Sequence, residues 1–206
     1  MKSIKILSIL FFTVFLSHSL LSQGNAGKHQ LPPEKTALLI IDMQDFYFPG
    51  GQMPLENPER ASAKASKVLD EFRNNKMHII HIKHNTDKNK GIHTDVMPKD
   101  GEKIFTKNKA NSFLGTGLES YLKEKQITHL VITGMMTHMC VEATTRAASD
   151  KGYECFVVSD ACATRDLQYK NKIIEAEDVH LSTLSTLEYG YAQILNAKEL
   201  INLLNR

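Results

Sequence analysis

Residues 37–44 read Ala37-Leu-Leu-Ile-Ile-Asp-Met-Gln44, five apolar residues that stop at a carboxylate. A run this short, rich in branched side chains and without polar alternation, fits a strand buried on both faces. Similar runs occur at 77–82, 129–133 and 155–158, each followed by polar or glycine-containing residues. Helical periodicity lies between them. Over 58–75 it sets Ala61, Ala65, Val68, Leu69 and Phe72 on one face; shorter helical stretches cover 118–125 and 141–151, the latter ending at Gly152. A further helix is expected over 170–190, with Val179, Leu181, Leu184 and Leu187 toward the core, then a short strand near 192–195 and a last helix from Ala197. Strand and helix in alternation imply right-handed crossovers. The predicted fold class is α/β: a three-layer α/β/α sandwich on a mostly parallel, doubly wound, Rossmann-like sheet of about six strands.

Upstream of this pattern, Lys2 and Lys5 precede an apolar run over 6–21, with small residues at Ser22, Gly24 and Ala26. That is the form of a signal peptide over 1–26, shorter and softer than the roughly 20 apolar residues of a spanning helix. The expectation is an exported protein, periplasmic or secreted, with no stable membrane insertion after cleavage. Residues 27–206 suit one domain. Without Lys2 and Lys5 the formal charge of +2 falls to zero, and no basic stripe argues for nucleic acid. The expected partner is a small molecule. Cys155 opens a strand-like run and Cys162 is placed past its end, too far for a disulfide, so Cys140, Cys155 and Cys162 are read as free thiols.

Ligands of open α/β sheets bind outside the carboxyl ends of the strands. Asp42 emerges at the end of the first run, and Gly134-Met-Met-Thr-His-Met-Cys140 leads from a later run into a helix. A thiol at a helix N-terminus meets partial positive charge, which favours thiolate, and free N–H groups that can hold an oxyanion. A small buried hydrophobe is the other reading of such a cysteine. Asp42 could cap a turn or take a thiol proton; Lys107, after Ile104–Phe105, is a surface lysine or the charge that holds both ionised. The polar segment 85–102 is a candidate substrate lid.

The segments Leu38-Leu-Ile-Ile-Asp-Met-Gln44, Lys107-Asn-Lys-Ala-Asn-Ser-Phe113 with Gly115–Thr116, and Gly134-Met-Met-Thr-His-Met-Cys-Val141 resemble, in order and spacing, the three blocks of the isochorismatase-like cysteine hydrolases, with Asp160–Ala161 following. The resemblance implies a catalytic triad of Cys140 as nucleophile with Asp42 and Lys107. It also implies a cis peptide between Met135 and Met136, an oxyanion hole from the Met136 and Cys140 amides, and a homo-oligomer. Phe48, His84, Phe113 and His138 are candidate substrate contacts. The region 78–87 lacks the Asp-x-His pair of nicotinamidases, so no metal or other cofactor is expected, although His81, His84 and His93 are possible ligands. Retention of a thiol, unneeded for the vinyl ether of isochorismate, implies an amide, lactam, ureide or carbamate substrate. The alternatives are hydrolysis of another bond and a silent small-molecule binder of the same fold.

Overall fold

The computed structural model describes residues 31–86 and 91–205; the expected signal peptide lies outside them. In chain order the elements are β1 (Thr36–Ile41), α1 (Pro58–Asn74), β2 (His78–His84), β3 (Lys103–Lys107), α2 (Leu118–Glu124), β4 (His129–Met135), α3 (Glu142–Asp150), β5 (Glu154–Ala163), β6 (Leu167–Tyr169), β7 (Lys172–Ile174), α4 (Ala176–Gly190), β8 (Gln193–Leu195) and α5 (Ala197–Leu204).

Six strands form one sheet in the order β3-β2-β1-β4-β5-β8, every pair parallel. Strand β1 is buried along its whole length. Its side chains alternate between two cores, as the twofold period of a strand requires. Leu38 and Ile40 meet Val68, Leu69 and Phe72 of α1 and Leu200 of α5. Ala37, Leu39 and Ile41 meet Leu118 and Leu122 of α2, Ala148 of α3 and Leu187 of α4. The three-layer α/β/α architecture is therefore as the sequence implies.

The chain runs outward from β1 to β3 and then returns to place β4 on the other side of β1. The crevice between the carboxyl ends of β1 and β4 is thus the topological switch point. Gly134 sits opposite Ile41 there, at φ 140°. A Cβ at this position would fall inside the Ile41 carbonyl, so glycine permits the close approach of the two strand ends.

Three expectations change. Strand β5 continues past Ser159 to Ala163, so Cys162 lies inside it; an irregularity shifts the register between the Ile132↔Val157 and Gly134↔Cys162 pairs. The three cysteines are nonetheless free. The helix expected from residue 170 begins only at Ala176, because 167–174 fold into the antiparallel hairpin β6–β7 and the Asp166 carboxylate accepts from the Ala176 amide at 2.8 Å. Leu181 faces outward, unlike Val179, Leu184 and Leu187. The candidate lid segment 85–102 is not among these changes; in its described part His93 N donates to Met43 O at 2.8 Å, Ser62 Oγ to Asp95 Oδ2 at 2.6 Å, and Val96 is buried.

Candidate active site

Three strand ends converge on one buried cation. Asp42, just beyond β1, adopts φ 51° and anchors its amide on Ile82 O at 2.8 Å. Lys107 is the last residue of β3. Cys140 lies in a π-helical turn, Thr137–Val141, that leads from β4 into α3. The Met135–Met136 peptide before this turn is cis. Within the turn the Met136 carbonyl accepts from the Met139 and Val141 amides at 3.0 and 3.3 Å.

Lys107 Nζ stands 2.6 Å from Asp42 Oδ2 and 3.1 Å from Cys140 Sγ. It also reaches His84 Nδ1 at 3.0 Å and the Lys109 carbonyl at 3.1 Å. An ammonium has three hydrogens, so His84, the Lys109 carbonyl and Cys140 use all of them, and Asp42 Oδ2 meets Lys107 as an ion pair without a hydrogen bond of its own. Asp42 and Lys107 are wholly inaccessible and Cys140 is 5% exposed. Such burial of an ion pair is costly unless both members stay matched. His84 is fixed from the main chain: its amide donates to Gln44 Oε1 at 2.7 Å and its carbonyl accepts from Gln44 Nε2 at 3.2 Å.

Burial dominates the protonation states. Desolvation raises the Asp42 carboxyl above the ordinary carboxylate range, against the Lys107 ammonium, the Cys140 thiol and the weaker pull of His84. Desolvation, helped by the Asp42 charge, pushes the Cys140 thiol up to about 12, and Lys107 only partly opposes it. The lowering of the thiol pKa expected from the helix end and Lys107 is therefore outweighed by loss of water plus a neighbouring carboxylate, and Cys140 keeps the thiol proton that Asp42 would take. His84 is held neutral by burial and by Lys107, which fits its Nδ1 as acceptor.

Among the described residues, Asp42, His84 and Cys140 are the one trio with ligand-like spacing, their donor atoms lying within 4.8 Å of one another. Lys107 Nζ contacts all three, so a metal ion would have to displace a resident positive charge. That donor set does not fit a metal. His81 instead pairs with Glu102 at 2.8 Å, itself bridged to Arg73 at 2.7 Å, and His93 stacks on Phe48 with centroids 3.6 Å apart.

The isochorismatase domain family matches residues 36–188. The chain belongs to the isochorismatase family. An isochorismatase-family protein of Bacillus subtilis (strain 168), YddQ, is 43% identical over 170 residues, covering 77% of this chain and 94% of its own. The crystal structure of an isochorismatase hydrolase from Oleispira antarctica is 39% identical, with a TM-score of 0.80 over 84% of this chain and 99% of that one. More distant relatives include Nicotinamidase 3 of Arabidopsis thaliana, 29% identical over 48% of this chain and 45% of its own. A streptothricin hydrolase of Streptomyces noursei is 27% identical over 64% of this chain and 50% of its own.

In this isochorismatase-family hydrolase the remaining candidates surround the trio unevenly. His138 is two residues from the thiol, its Nδ1 hydrogen-bonded to Thr164 Oγ1 at 2.6 Å. Thr137 Oγ1 pairs likewise with His180 Nδ1 at 2.9 Å, so two side chains pin the cysteine turn. Phe48 is buried against His93, and Phe113 lies against Tyr153 with Lys151 over its ring. Two residues escaped the sequence reading. Tyr47 is buried, and desolvation with the neighbouring Asp42 charge keeps its phenol protonated. Gln44 stood in the quoted motif, but its clamp on His84 spans 40 residues of chain and leaves no local signal.

Proposed function

We propose that this protein is a cysteine hydrolase that opens a carbon–nitrogen bond of a small amide-like molecule through a thioester on Cys140. The observation that carries the reading is the Lys107 ammonium lying within 3.1 Å of both the Asp42 carboxylate and the Cys140 sulfur. A buried thiol and a buried carboxylate whose pKa values are both raised share a proton readily, since the raised carboxyl is the stronger base. Asp42 takes the Cys140 proton as sulfur attacks the substrate carbonyl, and the Met136 and Cys140 amides hold the oxyanion. Asp42 then gives that proton to the departing nitrogen, and the C–N bond breaks. Water, losing a proton to the same carboxylate, attacks the thioester and releases the acid; the proton returns to sulfur. Lys107, 2.6 Å from Asp42 and 3.1 Å from the sulfur, stabilises the carboxylate each time the proton leaves it.

The naming of two relatives as a nicotinamidase and a streptothricin hydrolase supports amide chemistry. The test is a panel of small amides, lactams, ureides and carbamates, read by amine or ammonia release and by intact mass for acylation of Cys140. Release that persists in Cys140→Ala, or bound but unaltered ligands across the panel, would overturn the proposal.

A further inference from the structure

Lys107 reaches the site from β3, on one side of β1; the loop that follows β5 reaches it from the other side of β4. Thr164 anchors that loop. Its Oγ1 bonds His138 Nδ1 at 2.6 Å, and its carbonyl accepts from the Glu56 amide at 2.9 Å. The Leu55 amide in turn donates to the Tyr47 carbonyl at 2.9 Å. Residue 165 is thereby held where the Cys140 turn meets the loop that carries Tyr47.

A cleft of about 1000 Å³ opens on the far side of the same loop, and Thr164 and Asp166 both line it while Arg165 does not. The guanidinium therefore turns away from that cleft, toward the crevice. Burial is the largest influence on the Tyr47 phenol and the His138 imidazole, and both also feel the Arg165 charge, which favours the ionised phenol and the neutral imidazole. Arg165 is exposed, and among the described residues it has no ion pair and no side-chain hydrogen bond. The acids around it are engaged elsewhere: Glu142 accepts from Arg146 at 2.8 and 3.0 Å, Asp166 from the Ala176 amide at 2.8 Å, and Glu56 from Asn57 Nδ2 at 2.9 Å. Deeper in the crevice Asp42 and Lys107 cancel one another at 2.6 Å. The mouth is left with one uncompensated positive charge, beside a phenol and an imidazole.

We propose that Arg165 selects amide-like substrates that carry a carboxylate, holding that carboxylate at the crevice mouth with the scissile carbonyl toward Cys140. The proposal rests on the hydrolase reading above and narrows its substrate class to anionic amides. A planar guanidinium meets a carboxylate in two parallel hydrogen bonds, which fixes orientation as well as charge. A few polar groups placed this way are what give a small-molecule site its specificity. A neutral amide leaves the guanidinium in water and gains nothing from it, and a cationic one is repelled.

The test compares two alkylating probes of nearly equal size, iodoacetate and iodoacetamide, which differ by one negative charge. Labelling of Cys140 is followed by peptide mass at mildly alkaline pH, and the ratio of the two rates cancels any change in the amount of thiolate. In Arg165→Gln the iodoacetate-to-iodoacetamide ratio at Cys140 should fall by at least ~10-fold from wild type, the lower end of the gain from a focused charge. Arg60→Gln, which removes a charge from the neighbouring cleft, should leave the ratio unchanged, with circular dichroism as the check on folding. Among amides that turn over, Arg165→Gln should lower kcat/KM for a carboxylate-bearing member at least ~10-fold more than for its methyl ester. A ratio indifferent to Arg165→Gln, equal falls in both variants, or equal losses for acid and ester would each overturn the proposal. The labelling ratio needs no turnover, so an inert amide panel would count against the hydrolase reading and an unchanged ratio against the carboxylate site.

Discussion

Replacing Asp42 by Asn should abolish turnover and yet make Cys140 easier to alkylate. The Asp42 and Cys140 donor atoms lie within 4.8 Å, where two unit charges repel by roughly 3.5 kcal/mol at an effective dielectric of about 20. Removing the carboxylate charge then enlarges the thiolate population by up to a few hundredfold at fixed pH. The freed thiolate is a weaker nucleophile by about tenfold, so the net gain is ~20-fold. The sign follows from the thiol being pushed up to about 12 by burial and by Asp42: alkylation of both proteins climbs with pH, and the variant climbs earlier. The assay is iodoacetamide labelling followed by mass at near-neutral and mildly alkaline pH. Cys155 and Cys162 serve as controls, since burial raises them without any part for Asp42. Loss of a buried partner costs ~3–5 kcal/mol, so dichroism must show the variant folded; His84 Nδ1 and the Lys109 carbonyl still accept from Lys107. Labelling of Cys140 no faster than in wild type would refute the electrostatic account.

Cys140→Ala should remove turnover with little change in melting temperature, whereas Cys155→Ala should keep turnover and cost about 1 kcal/mol through a small void; equal loss of activity in both would reject the nucleophile. Lys107→Ala should cut turnover by at least ~100-fold, the scale of one preorganised charge, while Lys109→Ala, which keeps the backbone carbonyl that Lys107 uses, should match wild type. Chelators should leave activity untouched, because an ammonium holds the place a metal would need; loss restored by added metal would contradict this. Glu102 is desolvated, yet Arg73, the Lys99 amide and His81 lower it from 4.5 to about 2. Its contribution to stability is complete above pH 4.5 and vanishes as pH falls through about 2, so Glu102→Gln should flatten the fall of melting temperature over that interval.

The parts legible in sequence are those set by local pattern. Strand β1 was readable because a strand buried on both faces needs unbroken apolar residues, and α1 because its inward residues recur at helical spacing. Asp42, Lys107 and Cys140 were readable as residues at strand ends that matched a family pattern. Strand β5 was cut short because Ser159 and Asp160 look like a terminus; Asp160 accepts from the Ala197 amide at 2.7 Å, a partner 37 residues away. The hairpin was hidden by its lysines and its length. The upward shift of the Cys140 thiol was hidden for a different reason: desolvation depends on everything packed around the sulfur, and no stretch of residues encodes it.

Gly134 gives the site an unusual relation to mutational drift. The residue offers no side chain to any substrate, but any Cβ there would drive apart the strand ends that bring Asp42 toward the Cys140 turn. In a library of random substitutions it should be as intolerant as the thiol itself. Specificity can wander through the loops while this position stays closed, so the geometry of the chemistry is inherited with the fold and cannot be traded away separately from it.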